Sequence, residues 1–189
     1  MTKKLVLVTG GARSGKSSFA EEYAAKCGAW VEYIATAQAG DEEMKTRVAL
    51  HRQRRPAGWK TIEAPYDAVP AMKEAVQRAD AVLFDCLTLY ISNLLLAPKM
   101  PSDPLKRSKI VLDRWKDLLS VAAAGTASVI IVTNEVGCGI VPENALAREF
   151  RDLSGFANQI AAKWADEVYL MTCGLAIDVK KMAVNSKCD

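Results

Sequence analysis

The fold of this chain is decided by the stretch Leu5-Val-Leu-Val-Thr-Gly10-Gly-Ala-Arg-Ser-Gly15-Lys16-Ser17. The apolar run at its start predicts a short buried strand, and the residues from Lys16 onward predict a helix. Between them, Gly10 and Gly15 bracket a loop with the phosphate-binding pattern G-x-x-x-x-G-K-[ST]. Backbone N–H groups in such a loop point at an anion, and the helix N-terminus adds partial positive charge. The stretch therefore predicts a nucleoside triphosphate site.

The loop supplies the first candidate site residues. Lys16 is expected to reach the β- and γ-phosphates, and the Ser17 hydroxyl is expected to bind Mg²⁺. A chance Gly/Ser turn is the alternative, but strand, loop and helix follow one another in the order that the motif requires. The candidate nucleotide-binding residues are Gly10, Gly11, Ala12, Arg13, Ser14, Gly15, Lys16 and Ser17.

The composition predicts one globular α/β domain over residues 1–189, since 50% of the residues are hydrophobic. The 25 basic and 22 acidic residues nearly balance, which gives no indication of a nucleic-acid partner. The first apolar run is too short for a signal peptide, and no run is long enough to span a bilayer. The chain has 5 cysteines and no CxxC pair, which predicts reduced thiols in the cytoplasm.

Strand-like and helix-like segments alternate, which predicts a mainly parallel sheet with helices on both faces. An antiparallel hairpin through Gly174 is expected at one edge. The predicted strands after the first are Trp30–Ala35, Trp59–Glu63, Ala81–Asp85, Ser128–Thr133, Glu167–Thr172 and Leu175–Val179.

The predicted helices include residues 41–55, which begin with acids and end with bases, as suits the helix dipole. The segment 86–97 is apolar nearly all round and predicts either a core helix or one packed against another subunit. Pro142 predicts the start of a long helix, because proline is tolerated at the first helical position. A polar, frayed tail is expected from Lys180. The apolar stripe of the Pro142 helix is Leu146, Phe150, Leu153, Ala157, Ile160 and Trp164.

Ligands in such sheets bind beyond the carboxyl ends of the strands. The positions to search are therefore 9–17, 36–38, Asp85 and 133–142. Asp85 ends an apolar strand and is predicted either to hold Mg²⁺, directly or through water, or to cap the next helix. The segment 133–144 combines polar residues with two glycines and predicts a wall of the substrate site.

His51 is the only histidine, and it lies in a basic segment without acids between Lys45 and Ile62. One interpretation is a solvated helix face. The other is a cluster that surrounds phosphates, in which neighbouring cations lower the imidazole pKa and keep the ring neutral. A neutral imidazole beside a polarised phosphate is a competent nucleophile. The basic residues are Lys45, Arg47, Arg52, Arg54, Arg55 and Lys60.

In this order the motifs resemble the bifunctional adenosylcobinamide kinase/adenosylcobinamide-phosphate guanylyltransferase family of cobalamin biosynthesis. The resemblance covers nearly the whole chain, although only the phosphate-binding loop is specific by itself. Its segments are the loop, Tyr33–Gln38, Asp41–Met44, Arg47, His51-Arg52, Arg55-Pro56, Trp59–Thr61, Asp85–Thr88, Asn93–Leu95, Val132–Gly137 and Gly139–Asn144.

The resemblance implies a RecA-like phosphate-loop fold, two reactions and a homotrimer. A triphosphate, ATP or GTP, phosphorylates adenosylcobinamide, and GMP then passes from GTP to the product by way of a histidine that matches His51. The resemblance does not decide whether Asp85 binds guanine or Mg²⁺. Many relatives carry a second histidine where this chain has Leu50, and one nucleophile suffices. The GTP contacts that the resemblance implies are Ala35, Thr36, Ala37, Arg52, Gln53, Arg54, Arg55, Glu63 and Asp85.

Two other functions fit the phosphate-binding loop. A monofunctional small-molecule kinase would use the same loop, with His51 in a structural role only. A nucleotide-gated ATPase or interaction module would use hydrolysis to change conformation. The chain lacks the Asn-Lys-x-Asp motif with which regulatory GTPases read guanine, and its basic histidine-bearing segment also argues against such a module.

Overall fold

The computed structural model describes residues 2–38, 42, 49, 52 and 55–184. The strands in this part are β1 (Leu5–Gly10), β2 (Val31–Ala35), β3 (Lys60–Glu63), β4 (Ala81–Asp85), β5 (Ser128–Val132), β6 (Glu167–Thr172) and β7 (Leu175–Asp178). The helices in this part are α1 (Lys16–Cys27), α2 (Ala68–Arg78), α3 (Leu87–Leu95), α4 (Pro104–Ala124), α5 (Ala145–Trp164) and α6 (Val179–Met182).

The described strands form one seven-stranded sheet in the order β3-β2-β4-β5-β1-β6-β7. Strands β1 to β6 are parallel, and β7 alone pairs antiparallel with β6. The turn between β6 and β7 contains Cys173 and Gly174, which have φ angles of 51° and 79°. The predicted parallel sheet with an antiparallel edge hairpin is confirmed.

Helices cover both faces of the sheet, as predicted. Successive residues of β1 point to opposite faces. Leu5 and Leu7 join the larger apolar cluster, which contains α2, α3, α4 and α5. Val6 and Val8 join the smaller cluster, which contains α1. Because both faces are buried, the central strands are continuous runs of Val, Ile and Leu.

Helix α3 is a core helix of its own chain. Leu87 and Ile91 are fully buried and Leu94 is 2% exposed. The Tyr90 ring meets the Phe84 ring edge-on, with 5.8 Å between the ring centroids. Of the two interpretations of this apolar segment, burial within the chain accounts for its composition without a second subunit.

The prediction that a helix begins at Pro142 was wrong. Helix α5 begins at Ala145, and the Asn144 side chain accepts hydrogen bonds from the N–H groups of Leu146 and Ala147. Its predicted stripe was partly wrong, since Leu146 and Trp164 are 39% and 44% exposed. The buried residues of α5 are Leu153, Ser154, Ala157, Asn158 and Ala161.

Removal of the α5 cap should weaken the fold. We expect Asn144→Ala to lower the free energy of unfolding by about 1 kcal/mol, because two N–H groups lose their acceptor. Chemical denaturation followed by circular dichroism measures this. Glu143→Ala, an exposed neighbour that does not cap the helix, is the control and should unfold like the wild type. Equal stability of Asn144→Ala and wild type would contradict the assignment of the cap.

The remaining predictions concern the helix 41–55, the tail from Lys180 and the absence of membrane-spanning segments. Most of the predicted helix 41–55 lies outside the described residues, and Glu42, Ala49 and Arg52 are helical. A frayed tail was predicted from Lys180, but Lys180 and Lys181 belong to α6, which ends at Met182. Residues 185–189 lie outside the described residues. No helix among the described residues is long and apolar enough to cross a membrane.

Candidate active site

The ends of the central strands bring the predicted site segments together. In the strand register, Ala35 on β2 pairs with Asp85 on β4, Asp85 with Val132 on β5, and Val132 with Val8 on β1. The residues that follow these strands therefore meet at one edge of the sheet. The phosphate-binding loop, Thr36, Asp85 and the start of segment 133–142 all belong to this edge.

The phosphate-binding loop depends on the two glycines that bracket it, Gly10 and Gly15. Gly10 has a φ of 148°, and a Cβ atom there would collide with the Met171 carbonyl oxygen of β6. Gly15 has a φ of 96°, and a Cβ atom there would lie 3.2 Å from the Gly174 Cα. The Gly174 N–H also donates to the Ser14 carbonyl oxygen at 3.1 Å. The β6–β7 turn thus supports the loop, a contact that the motif alone does not predict.

Two side chains of the loop are buried in a way that suits an anion. Lys16 is 8% exposed, and its Nζ donates to the Gly11 carbonyl oxygen at 2.6 Å. The Ser14 hydroxyl is buried, and no group in the described part of the chain hydrogen-bonds to it. Buried hydroxyls normally have a partner. A phosphate oxygen would supply one here.

Asp85 lies beside Ser17, the other residue that the sequence analysis expects to hold Mg²⁺. Asp85 Oδ2 is 3.5 Å from Ser17 Oγ and accepts a hydrogen bond of 2.7 Å from the Tyr33 hydroxyl. Burial, followed by the Asp85 charge, raises the Tyr33 pKa, so this hydroxyl stays protonated and donates. The Arg55 guanidinium lies 3.2 Å from the centroid of the Tyr33 ring, which connects the basic segment to Asp85.

Thr36 joins the ends of β2 and β4. Its hydroxyl donates to the Cys86 carbonyl oxygen at 2.8 Å and accepts from the Cys86 N–H at 2.7 Å. The Thr36 carbonyl oxygen accepts from the Asn93 side chain at 2.8 Å. Thr36 is fully buried, so its side chain holds the strand ends in place. Burial also raises the pKa of the neighbouring Cys86 thiol to about 11, which keeps it protonated at neutral pH.

A cleft of about 390 Å³ opens beyond the end of β3. Its wall includes Glu63, Pro65, Tyr66 and Asp67. Glu63 also forms an ion pair with Arg52. The predicted nucleotide contacts Arg52 and Glu63 therefore meet, and they do so at the far side of the sheet edge from the phosphate-binding loop.

A polar network lies at the end of β5, and the sequence predicted only part of it. Glu135 Oε1 accepts hydrogen bonds from Thr9 Oγ1 at 2.7 Å and from Asn158 Nδ2 at 3.1 Å. Thr133 donates to Asn158 Oδ1 at 2.7 Å. The polarity of segment 133–144 indicated the wall of a site, but nothing in the sequence pairs it with Asn158 of α5.

The profile of the cobinamide kinase / cobinamide phosphate guanyltransferase family, CobU, matches residues 6–179. The chain belongs to this family. The matched range contains the phosphate-binding loop, Asp85, Glu135 and the His51 segment, so the family extends over the entire sheet edge described above.

Three curated relatives have names that agree with the family. The bifunctional adenosylcobalamin biosynthesis protein CobU of Salmonella typhimurium is 41% identical over 93% of this chain and 99% of its own length. CobP of Pseudomonas aeruginosa, with the same description, is 41% identical over 92% of this chain and 96% of its own length. CobU of Escherichia coli K12 is 39% identical over 93% of this chain and 99% of its own length.

Two solved structures share the fold. A prototypical ATPase from the type III secretion system of pathogenic bacteria has a TM-score of 0.55 and 12% identity, with 98% of this chain and 61% of that chain covered. The secretion ATPase EscN of enteropathogenic E. coli has a TM-score of 0.58 and 14% identity, with 98% of this chain and 50% of that chain covered. This chain thus spans only half to three fifths of those ATPases, and the likeness concerns the fold alone.

The donors at Asp85 fit a magnesium ion bound together with a nucleotide. Mg²⁺ is usually held by one or two carboxylates, with the remaining positions filled by phosphate oxygens and water. Asp85 and Ser17 supply a carboxylate and a hydroxyl side by side. No cluster of three or more His, Cys, Asp or Glu side chains suited to a metal occurs among the described residues, so a site made of protein ligands alone is not found there.

The predicted histidine lies outside the described residues, and so do Gln53 and Arg54. Arg52 and Arg55, which flank Gln53 and Arg54, are described, and they contact Glu63 and Tyr33 respectively. The basic segment is thereby attached to the same sheet edge as Asp85. The loop residues Gly11, Ala12 and Arg13 are exposed at this edge, and Ala35 and Ala37 are half-buried.

Proposed function

We propose that this protein catalyses two successive transfers on a cobalamin precursor. It phosphorylates adenosylcobinamide with a nucleoside triphosphate, and it then transfers GMP from GTP to adenosylcobinamide phosphate to give adenosylcobinamide-GDP. The observation that carries this proposal is family membership over residues 6–179, joined to a phosphate-binding loop whose Ser17 faces Asp85.

In the kinase reaction the loop grips the triphosphate. The Lys16 ammonium is buried within the loop, where it can move from the Gly11 carbonyl to phosphate oxygens, and the Ser14 hydroxyl can donate to them. Asp85 and Ser17 would hold Mg²⁺, which would offset the charge of the β- and γ-phosphates. Phosphoryl transfer depends mainly on such positioning and charge stabilisation.

In the guanylyl transfer we assign the nucleophile to His51 and the guanine contact to Glu63. A carboxylate can accept hydrogen bonds from the guanine N1–H and exocyclic amine, and Glu63 lies on the wall of a cleft of about 390 Å³. Binding of the base there would require Glu63 to exchange its ion pair with Arg52 for the guanine edge. The freed Arg52 would then be available to the phosphates.

The proposal is tested by the covalent intermediate. Incubation with GTP labelled at the α-phosphate should leave label on the denatured protein, and the bond should be labile in acid and stable in alkali, as a phosphoramidate is. Subsequent addition of adenosylcobinamide phosphate should move the label to adenosylcobinamide-GDP. Release of nucleoside diphosphate without any adduct or pyrophosphate would favour a monofunctional kinase instead.

Asp85 and Glu63 should separate metal binding from base recognition. We expect Asp85→Asn to raise the Mg²⁺ concentration needed for half-maximal kinase turnover by at least about tenfold, since a charged oxygen ligand is lost. Glu63→Gln should leave this requirement unchanged and reduce discrimination between GTP and ATP. Titration of Mg²⁺ at saturating GTP and at saturating ATP measures both effects. An unchanged metal requirement in Asp85→Asn would contradict its assignment.

Further parts of the proposal concern assembly and location. We propose that residues 1–189 form one nucleotide-binding domain, because a single sheet includes every described strand. The exposed apolar side chains Ile140, Val141 and Phe156 offer surface for assembly into a homotrimer. We place the enzyme in the cytoplasm, where its triphosphate substrates are found and where free thiols such as those of Cys138 and Cys173 persist.

A further inference from the structure

Glu135 occupies a distinctive position at the sheet edge. It follows β5, the strand that lies directly beside β1 in the sheet. Its backbone N–H donates to the Gly10 carbonyl oxygen at 3.2 Å, so it adjoins the first residue of the phosphate-binding loop. Asp85 lies one strand further away, on β4, and Glu63 lies on the edge strand β3. The Glu135 carboxylate is therefore closest in strand order to the phosphate-binding loop.

Buried neutral groups hold this carboxylate in place. Oε1 accepts from Thr9 Oγ1 and from Asn158 Nδ2, and Asn158 Nδ2 also donates to the Asn134 carbonyl oxygen at 3.1 Å. Thr9 and Asn158 are only 7% and 8% exposed. One oxygen of the half-buried Glu135 is thus fixed by two donors with little freedom to move, which orients the whole carboxylate.

The second oxygen is available for chemistry. No group in the described part of the chain hydrogen-bonds to Glu135 Oε2, and no cation in that part forms an ion pair with Glu135. A carboxylate beside a triphosphate site repels the ligand, and no ion pair among the described residues neutralises the charge of Glu135. The hydrogen bonds to Oε1 account for a structural role of the carboxylate, whereas the free Oε2 suits a reaction that needs a proton acceptor.

We propose that Glu135 is the general base of the kinase reaction, in which Oε2 accepts the proton of the acceptor hydroxyl. The inference rests on the proposed function. As the hydroxyl oxygen bonds to the γ-phosphorus, its proton passes to Glu135. The bond from the γ-phosphorus to the β–γ bridging oxygen breaks, and the nucleoside diphosphate leaves with that electron pair. Glu135 then returns the proton to solvent. Guanylyl transfer occurs at the α-phosphorus and does not use Glu135.

The test compares the two transfers in Glu135→Gln. The amide keeps the size of the side chain and an oxygen that can accept from Thr9 and Asn158, but it cannot accept a proton. We expect kcat for phosphorylation of adenosylcobinamide to fall at least about 10²-fold, with KM changed by less than about threefold. Transfer of GMP to supplied adenosylcobinamide phosphate should stay within about threefold of wild type.

Glu22→Gln is the matched control, because Glu22 is an exposed carboxylate on α1 to which no role in the site is assigned. It should leave both transfers unchanged. Equal losses of both transfers in Glu135→Gln, with a lowered melting temperature, would show a structural role and overturn the proposal. Kinase turnover of Glu135→Gln near wild type would also overturn it. A wild-type protein that phosphorylates no adenosylcobinamide would instead overturn the proposed function, and this role with it.

Discussion

Replacement of Lys16 by alanine is expected to abolish both transfers. The same loop must hold the triphosphate whether attack falls on the γ-phosphorus or on the α-phosphorus. Lys16 lies within that loop, only 8% exposed, with its Nζ 2.6 Å from the Gly11 carbonyl oxygen. Loss of a preorganised charge that stabilises phosphoryl oxygens should lower each rate by at least about 10²-fold.

Both activities should be measured on one preparation, with product quantified by chromatography. Lys26→Ala is the matched control, because Lys26 is an exposed lysine at the opposite end of the same helix, α1. It should keep both rates. Thermal melting checks that Lys16→Ala is folded. Near-normal turnover of either transfer in a folded Lys16→Ala protein would refute the assignment of the phosphate-binding loop.

The central strands could be predicted because their sequence alone determines their burial. Strand β4 occupies Ala81–Asp85, as predicted, and β5 ends one residue earlier than predicted, at Val132. Continuous apolar runs between polar residues leave few alternatives when both faces of a sheet are covered. The phosphate-binding loop could also be predicted, because its motif is one short continuous stretch of sequence.

Helix α5 shows where pattern reasoning fails. The apolar stripe predicted that Leu146 and Trp164 would be buried, but both are partly exposed. The polar residues Ser154 and Asn158 are buried instead. Ser154 donates to the Phe150 carbonyl oxygen at 2.7 Å, and Asn158 joins the Glu135 network. Polar residues are buried where hydrogen bonds compensate their desolvation. The partner of Ser154 is one helical turn away, whereas the partners of Asn158 lie far away in sequence.

The same limit applies to the site. The loop, Asp85 and the polar segment after β5 could each be located from strand ends. Their contacts could not, because the approach of Gly174 to Ser14 and of Arg55 to Tyr33 depends on how the strands are ordered. Strand order in a parallel sheet is a tertiary property, and it places Glu135 beside Gly10.

His51→Ala should separate the two chemistries. In the kinase reaction the substrate hydroxyl attacks the γ-phosphorus, so no protein nucleophile is needed. In guanylyl transfer a covalent histidine intermediate divides one difficult displacement into two easier ones. The variant should therefore form no GMP adduct and no adenosylcobinamide-GDP. Phosphorylation of adenosylcobinamide should persist within roughly tenfold, about 1.4 kcal/mol in barrier. Assays of both products on one preparation measure the two effects.

A second variant, His51→Gly, tests whether the imidazole ring itself is the nucleophile. His51→Gly should regain part of its guanylyl transfer when free imidazole is supplied, because the added ring can attack the α-phosphorus in place of the side chain. Its kinase rate should not respond to imidazole. Because the chain contains a single histidine, any adduct that survives in His51→Ala must involve another residue type. Undiminished guanylyl transfer in His51→Ala would remove His51 from the mechanism and assign the attack on the α-phosphorus to another protein group or directly to the phosphate of the substrate.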